Sequence, residues 1–378
     1  MTNTATTKTD WTLCALVYVA GLLAAAQFAK IALSLDALGV IYPDQVMRLP
    51  FLVSALSIMG IVFGATMGVI AARFGIGRVF CAGLAMAAAI SFVQASFPAL
   101  GVFFVLRVAE GMAHLAIVIA GPAIMATVAA QKDQPVVMGL WGTFFGVGFA
   151  LTALAMPALL QLGPSSVFLA HGALLVLVLI LAMRRVPQSG PQPSEKLGWL
   201  QRHVAIYRTP SVAAPALVFL WHTMMFLALL TFLPRWLGAW TAPVLPLVAL
   251  IGTFGAGVLA KRYSPLVIAA WGYGASILLL GLLALSPEDL RVFVALPTLA
   301  VIGLAPGAAF ATIPHLNTSA SDRALSNGAL AQLGNVGTAA SVPVFAAVLH
   351  FGLPGLVVLA VLFSGIGMVI SRSLSRRV

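Results

Sequence analysis

Apolar runs of about twenty residues, each closed by a charge, a proline or a glycine cluster, follow one another along almost the whole chain. A hydrocarbon layer of roughly 30 Å is crossed by about 20 helical residues. In lipid every backbone amide needs a partner within the protein, so such runs are predicted to be transmembrane helices. Twelve runs can be marked, at residues 12–34, 49–72, 77–97, 99–129, 136–160, 164–186, 211–233, 241–261, 265–286, 291–315, 325–350 and 352–373. The one long polar connection, residues 187–210, separates them six from six. The predicted class is therefore an all-α membrane protein with twelve transmembrane helices in two six-helix bundles, 1–186 and 211–378, joined by a cytoplasmic linker, 187–210. Composition agrees, since 61% of the 378 residues are apolar and only 8% charged, far from the balance of a soluble domain.

The sparse cations set the orientation. With the N-terminus inside, fifteen Lys and Arg fall on cytoplasmic segments and three, Arg48, Arg235 and Arg291, on the opposite side. Both termini are thus expected in the cytoplasm, in a multi-pass protein of the cytoplasmic (inner) membrane. The net charge of +11 then reflects loops facing anionic lipid, and no nucleic-acid partner is expected. The run after Trp11 lacks a small-residue cleavage site and reads as a retained helix. Cys14 and Cys81 form no framework, so no disulfide is expected.

Two basic turns repeat. Gly68-Val-Ile-Ala-Ala-Arg73-Phe-Gly75-Ile-Gly77-Arg78 joins runs two and three, and Gly257-Val-Leu-Ala-Lys261-Arg262 joins runs eight and nine. They share Gly-x-x-x-x-Arg, and Gly68 and Gly257 lie 189 residues apart, half the chain, as two parallel copies of one six-helix unit would place them. Taken alone, these turns could be positive-inside anchors only. The first resembles the loop signature of the major facilitator superfamily, keeping Gly68, Arg73 and Gly75 but carrying Ala72 in place of its acid. Arg107-Val-Ala-Glu110-Gly111 is similar to that family's Arg-x-x-x-Gly element, and Gly139, Gly142, Gly146, Gly148 and Pro157 loosely resemble its antiporter signature. The resemblance implies secondary transport by alternating access, with a central cavity lined by runs one, four, seven and ten. Gly68, Arg73, Gly75, Arg78, Lys261 and Arg262 would be the gating loops.

Away from the run ends, three charged residues fall inside the runs: Lys30 in the first, Arg107 and Glu110 in the fourth. Each costs roughly 2.5–3.5 kcal/mol near mid-helix on insertion scales, so each is expected to face protein or water. Arg107, Glu110, Gly111 and His114 follow helical steps and share one stripe, and Gln27 and Lys30 share another. Lys30 and Arg107 are predicted at similar depth, able to meet. One reading has Glu110 merely neutralising Arg107, tying two helices together. Alternatively, two cations against one anion leave a positive surplus that a low-dielectric cavity would complete with an anion, Arg107 gripping two oxygens and Lys30 adding a point charge. Glu110 or His114 would then carry the coupled proton. The resemblance adds that an acid often stands where His114 does in the family's anion symporters.

Trp221 and His222 in run seven, and Asn335 in run eleven, are further candidate substrate contacts; His222 with Met225 also offers soft ligands for copper import. Phosphate-binding loops, zinc motifs and nucleophile elbows are absent from the sequence, and no segment is long enough for an ATPase domain. Neither an enzyme nor a bound cofactor or metal is expected. The reading is a monomeric, proton-coupled symporter of a small organic or inorganic anion, with proton-driven efflux of drugs or metabolites as the alternative.

Overall fold

A computed structural model describes residues 8–187 and 198–377. Every regular element among the described residues is helical. Contacts divide the chain into two compact units, Met1–Met59 with Met67–Lys196 and Gly60–Thr66 with Leu197–Val378.

Among the described residues, ten helices are long and apolar enough to cross a membrane. The two remaining predicted runs depart from that pattern for different reasons. The second breaks into Pro50–Ala55, Ile58–Phe63 and Met67–Phe74. At its breaks the Ser57 and Thr66 amides bond the carbonyls three residues back, Ser54 at 2.9 Å and Phe63 at 2.9 Å, and the Thr66 hydroxyl competes for the same Phe63 carbonyl at 3.2 Å. These are local tightenings of the α-helix rather than chain reversals. The eleventh is one helix of 27 residues, Ala320–Ala346, but it is rich in Ser, Asn, Gln, Gly and Thr, so its apolarity falls short.

In the first unit, Trp11–Ala32 begins at Asp10, whose carboxylate accepts from the Leu13 amide at 2.9 Å, filling one of the four orphan donors of a helix start. It packs on the fourth-run helix Leu100–Val128 and the fifth-run helix Phe144–Gln161, while the third-run helix Ile76–Gln94 lies against the fourth and against the sixth-run helix Pro164–Arg185. Val17, Phe80, Leu84, Ile117 and Leu175 fill the space between them. Gly111 lets the fourth helix approach the Leu56 carbonyl so closely that a β-carbon would collide with backbone. Gly75 enters the third helix with φ +94°, a conformation that suits glycine and few other residues.

In the second unit, the seventh-run helix Pro210–Phe232 and Ala320–Ala346 form the most extensive pairing. The pairing is stitched by polar bonds: Ser326 Oγ donates to the Val212 carbonyl at 2.9 Å, and the Ala228 amide donates to Ser341 Oγ at 3.0 Å. Within this unit Gln332 Nε2 also donates to the Ile61 carbonyl at 2.8 Å.

Candidate functional site

The buried Asp, Glu, Lys and Arg of the described residues are three, and all are in the first unit: Lys30, Arg107 and Glu110, each no more than 1% exposed. Lys30 stands in the last turn of Trp11–Ala32, where the carbonyl ends of the helix favour a cation. Arg107 and Glu110 are one turn apart on Leu100–Val128, so both side chains reach the same space.

Glu110 is the hub. Its Oε1 lies 2.8 Å from Lys30 Nζ as an ion pair, and its Oε2 accepts from Arg107 Nη1 and, at 2.7 Å, from Gln94 Nε2 on the third helix. Arg107 Nε donates to the Leu52 carbonyl at 2.9 Å, fastening the fourth helix to the second run. Arg107 Nη2, Gln94 Oε1 and Gln27 Nε2 are buried without a hydrogen bond, as is Glu110 Oε1 apart from its ion pair with Lys30. Two formal positive charges thus face one negative charge, with polar capacity left over.

Two histidines flank the cluster. His114 Nδ1 sits 3.1 Å from the Ala24 carbonyl and 3.0 Å from Gln27 Oε1, both acceptors, so Nδ1 carries the hydrogen; the Phe28 ring meets it edge-on. His171, on the sixth helix, places Nδ1 3.4 Å from Lys30 Nζ and 3.0 Å from Ser91 Oγ, and Ser91 in turn accepts from Lys30 at 3.1 Å. The Lys30 ammonium also lies 5.3 Å from the centre of the Phe168 ring.

Of the residues singled out from sequence, Lys30, Arg107, Glu110, Gln27 and His114 therefore gather inside the first unit. Trp221, His222 and Asn335 belong to the second. His222 is sandwiched between Phe219 and Phe226 with ring centres 5.8 and 4.7 Å away, faces the Ile302 carbonyl, and leaves Nδ1 without a partner. Trp221 packs on Phe363 at 6.1 Å and leaves Nε1 unpaired. Asn335 donates to Ala331 of its own helix at 2.8 Å and spreads its amide over Gly60. The turn cations Arg73, Arg78, Lys261 and Arg262 are exposed, Arg73 resting over Phe74, and Gly68 faces open space. Among the described residues no three His, Cys, Asp or Glu side chains gather as a metal would require.

Ser91 and His171 were not anticipated as members. A signal existed: His171 stands seven residues after Pro164, Ser91 three before Gln94, and Lys30 two before Ala32, so all three lie at the same end of their helices' bundle.

The comparisons with known proteins agree with this architecture. No curated protein matches the sequence. Among solved structures, the E. coli fucose:proton symporter FucP superposes with a TM-score of 0.67 at 14% identity, covering 97% of this chain and 98% of that one. The family model described as Major Facilitator Superfamily matches residues 12–342. With most of its length matched and this helical plan, the chain belongs to the major facilitator superfamily, a family of membrane transporters.

Proposed function

We propose that the protein is a proton-coupled symporter of a small organic or inorganic anion, working by alternating access in the cytoplasmic membrane with both termini inside. The observation that carries the reading is the charge count in the first unit: Lys30 and Arg107 against Glu110 alone, all out of contact with solvent. An unbalanced charge in low dielectric is costly, and an anionic guest reaching the cluster would complete it. Arg107 Nη2, buried and unpaired, is the donor available to that guest. Glu110 and His114 are the proton-coupling candidates, and Gln27, Trp221, His222 and Asn335 the further cargo contacts. An organic cation, the cargo of the efflux alternative, would require a free carboxylate, and the one buried in the first unit already faces two cations.

Counterflow into proteoliposomes against monocarboxylates, inorganic anions and lipophilic cations tests this. Stimulation by one class of anion, enhanced by an inward proton gradient, is the expected result. Stimulation by cations alone would overturn it.

A further inference from the structure

His171 is buried at the edge of the cluster, beside Lys30, and the coupling scheme above makes no use of it. Its nitrogens are distinguished by their neighbours: Nε2 lies 3.0 Å from the Leu23 carbonyl, which can only accept, so Nε2 carries the hydrogen and Nδ1 presents a lone pair. Ser91 Oγ lies 3.0 Å from two acceptors, the Phe168 carbonyl and His171 Nδ1, so its single hydrogen goes to one of them, and its oxygen accepts from Lys30 at 3.1 Å. Of the three ammonium hydrogens, one faces Glu110, one Ser91, and the third has His171 Nδ1 at 3.4 Å.

Charge counting then separates the ways this cluster can change its protonation. Adding a proton to Glu110 or to His114 raises the buried charge from one positive unit to two. Removing one from Lys30 and His171 lowers it from one to none, the direction that burial favours. The ionisable groups that face the pair from other helices are Arg107, Glu110 and His114 of the fourth, already in the charge count; the third helix contributes the neutral Ser91 and Gln94, and the fifth-run helix Phe144–Gln161 contains no ionisable side chain.

We propose that Lys30 and His171 hold one exchangeable proton between them, and that its loss is what discharges the cluster. In transfer the Nζ–H bond of Lys30 breaks as an Nδ1–H bond forms on His171, leaving a neutral amine and an imidazolium with total charge unchanged. When the imidazolium gives that proton to water, the cluster becomes neutral. Under the anion-symport reading, on which this inference rests, the protonated pair retains the surplus charge an anion needs, and the deprotonated pair gives it up. Proton and anion are then bound together or not at all.

The test needs no cargo. Protein labelled with nitrogen-15 in His and Lys is placed in lipid nanodiscs and titrated between pH 5 and 9 by NMR, with His171→Gln and Lys30→Met identifying the signals. Lys30 Nζ and His171 Nδ1 are expected to change together with one shared midpoint. In His171→Gln the Lys30 midpoint moves by at least one pH unit, a tenfold change in proton affinity. A Lys30 that stays an ammonium beside a neutral His171 over the whole range overturns the inference, and the wild-type titration alone can show this even if the variants do not fold. A shared step in a protein that moves no anion would instead remove the cargo reading and leave the proton site standing.

Discussion

The two units solve the same packing problem with different interiors. Sequence separations of 192 residues relate Lys30 to His222, Glu110 to Ile302 and Gly111 to Gly303. In the first unit the Lys30 ammonium meets a carboxylate; in the second, the His222 ring meets the Ile302 carbonyl. The tight glycine crossing is kept in both, Gly111 against the Leu56 carbonyl and Gly303 against that of Ala249. The second unit's buried polar groups among the described residues are all uncharged or histidine: Ser276 bonded to Ser364 at 3.0 Å, Thr298, Thr312 and Ser341 serving backbone, and the Tyr273 hydroxyl on the Val218 carbonyl at 2.6 Å. A repeated backbone can evidently be held together without ions, so the charges of the first unit are not required by its fold.

That claim is broken or sharpened most strongly at Glu110. Glu110→Gln leaves two buried cations facing no anion, and a drop in unfolding free energy of about 3–5 kcal/mol is expected, read from denaturation in detergent. Replacing the whole set, with Lys30→Met, Arg107→Met and Glu110→Leu together, is expected to restore stability to within about 1–2 kcal/mol of the parent while transport stays abolished. If the triple variant is as unstable as Glu110→Gln, the ions are structural cement and the contrast between the units loses its meaning.

Arg107→Lys ranks next. An ammonium keeps the charge but cannot serve both the Leu52 carbonyl through Nε and Glu110 through Nη1. Loss of one charge-assisted bond costs roughly 1.5–3 kcal/mol. Uptake is expected to fall more than tenfold, with Arg107→Ala folded and inactive. Normal uptake in either variant would take the guanidinium out of the cargo site.

The shared crossing gives a matched pair of smaller effects. Gly111→Val and Gly303→Val each press a side chain into a backbone carbonyl of the neighbouring helix, and about 1–3 kcal/mol of destabilisation is expected in both. Equal losses would show that the glycines do the same work in each half. A loss confined to Gly111 would mean that its partner helix is held by the charges it adjoins.

Much of this was legible in sequence, and the limits have physical causes. Run length gives the helices, because a continuous apolar run of about twenty residues satisfies its own backbone in lipid by coiling. Lys30, Arg107 and Glu110 stand out for the same reason, each being expensive where it is. The break in the second run leaves no mark in the sequence, because Ser57 and Thr66 interrupt the hydrogen-bond ladder without a proline at the place. The polar eleventh helix looked apolar enough because Ser, Thr and Asn hide their cost once they bond a neighbouring backbone, as Ser326 and Ser341 do. The signal at His171, its place near the start of its helix, becomes meaningful only when the partner helix is known to hold a lysine at the same depth.

His222→Phe is the gentlest probe of the contrast and the most informative about the second unit. Phenylalanine preserves the stack between Phe219 and Phe226, no buried ion is left behind, and the cost in stability is expected to stay below about 1.5 kcal/mol. Nδ1 is unpaired, so its removal breaks no hydrogen bond at that atom, although the ring's contact with the Ile302 carbonyl is lost with the imidazole. A rise of about tenfold in the half-saturating concentration, equivalent to about 1.4 kcal/mol, with maximal rate nearly unchanged, is expected from initial-rate uptake if His222 accepts a hydrogen bond from the guest. An unaltered half-saturation would leave cargo recognition to the charged half, with the second unit providing only an apolar aromatic wall.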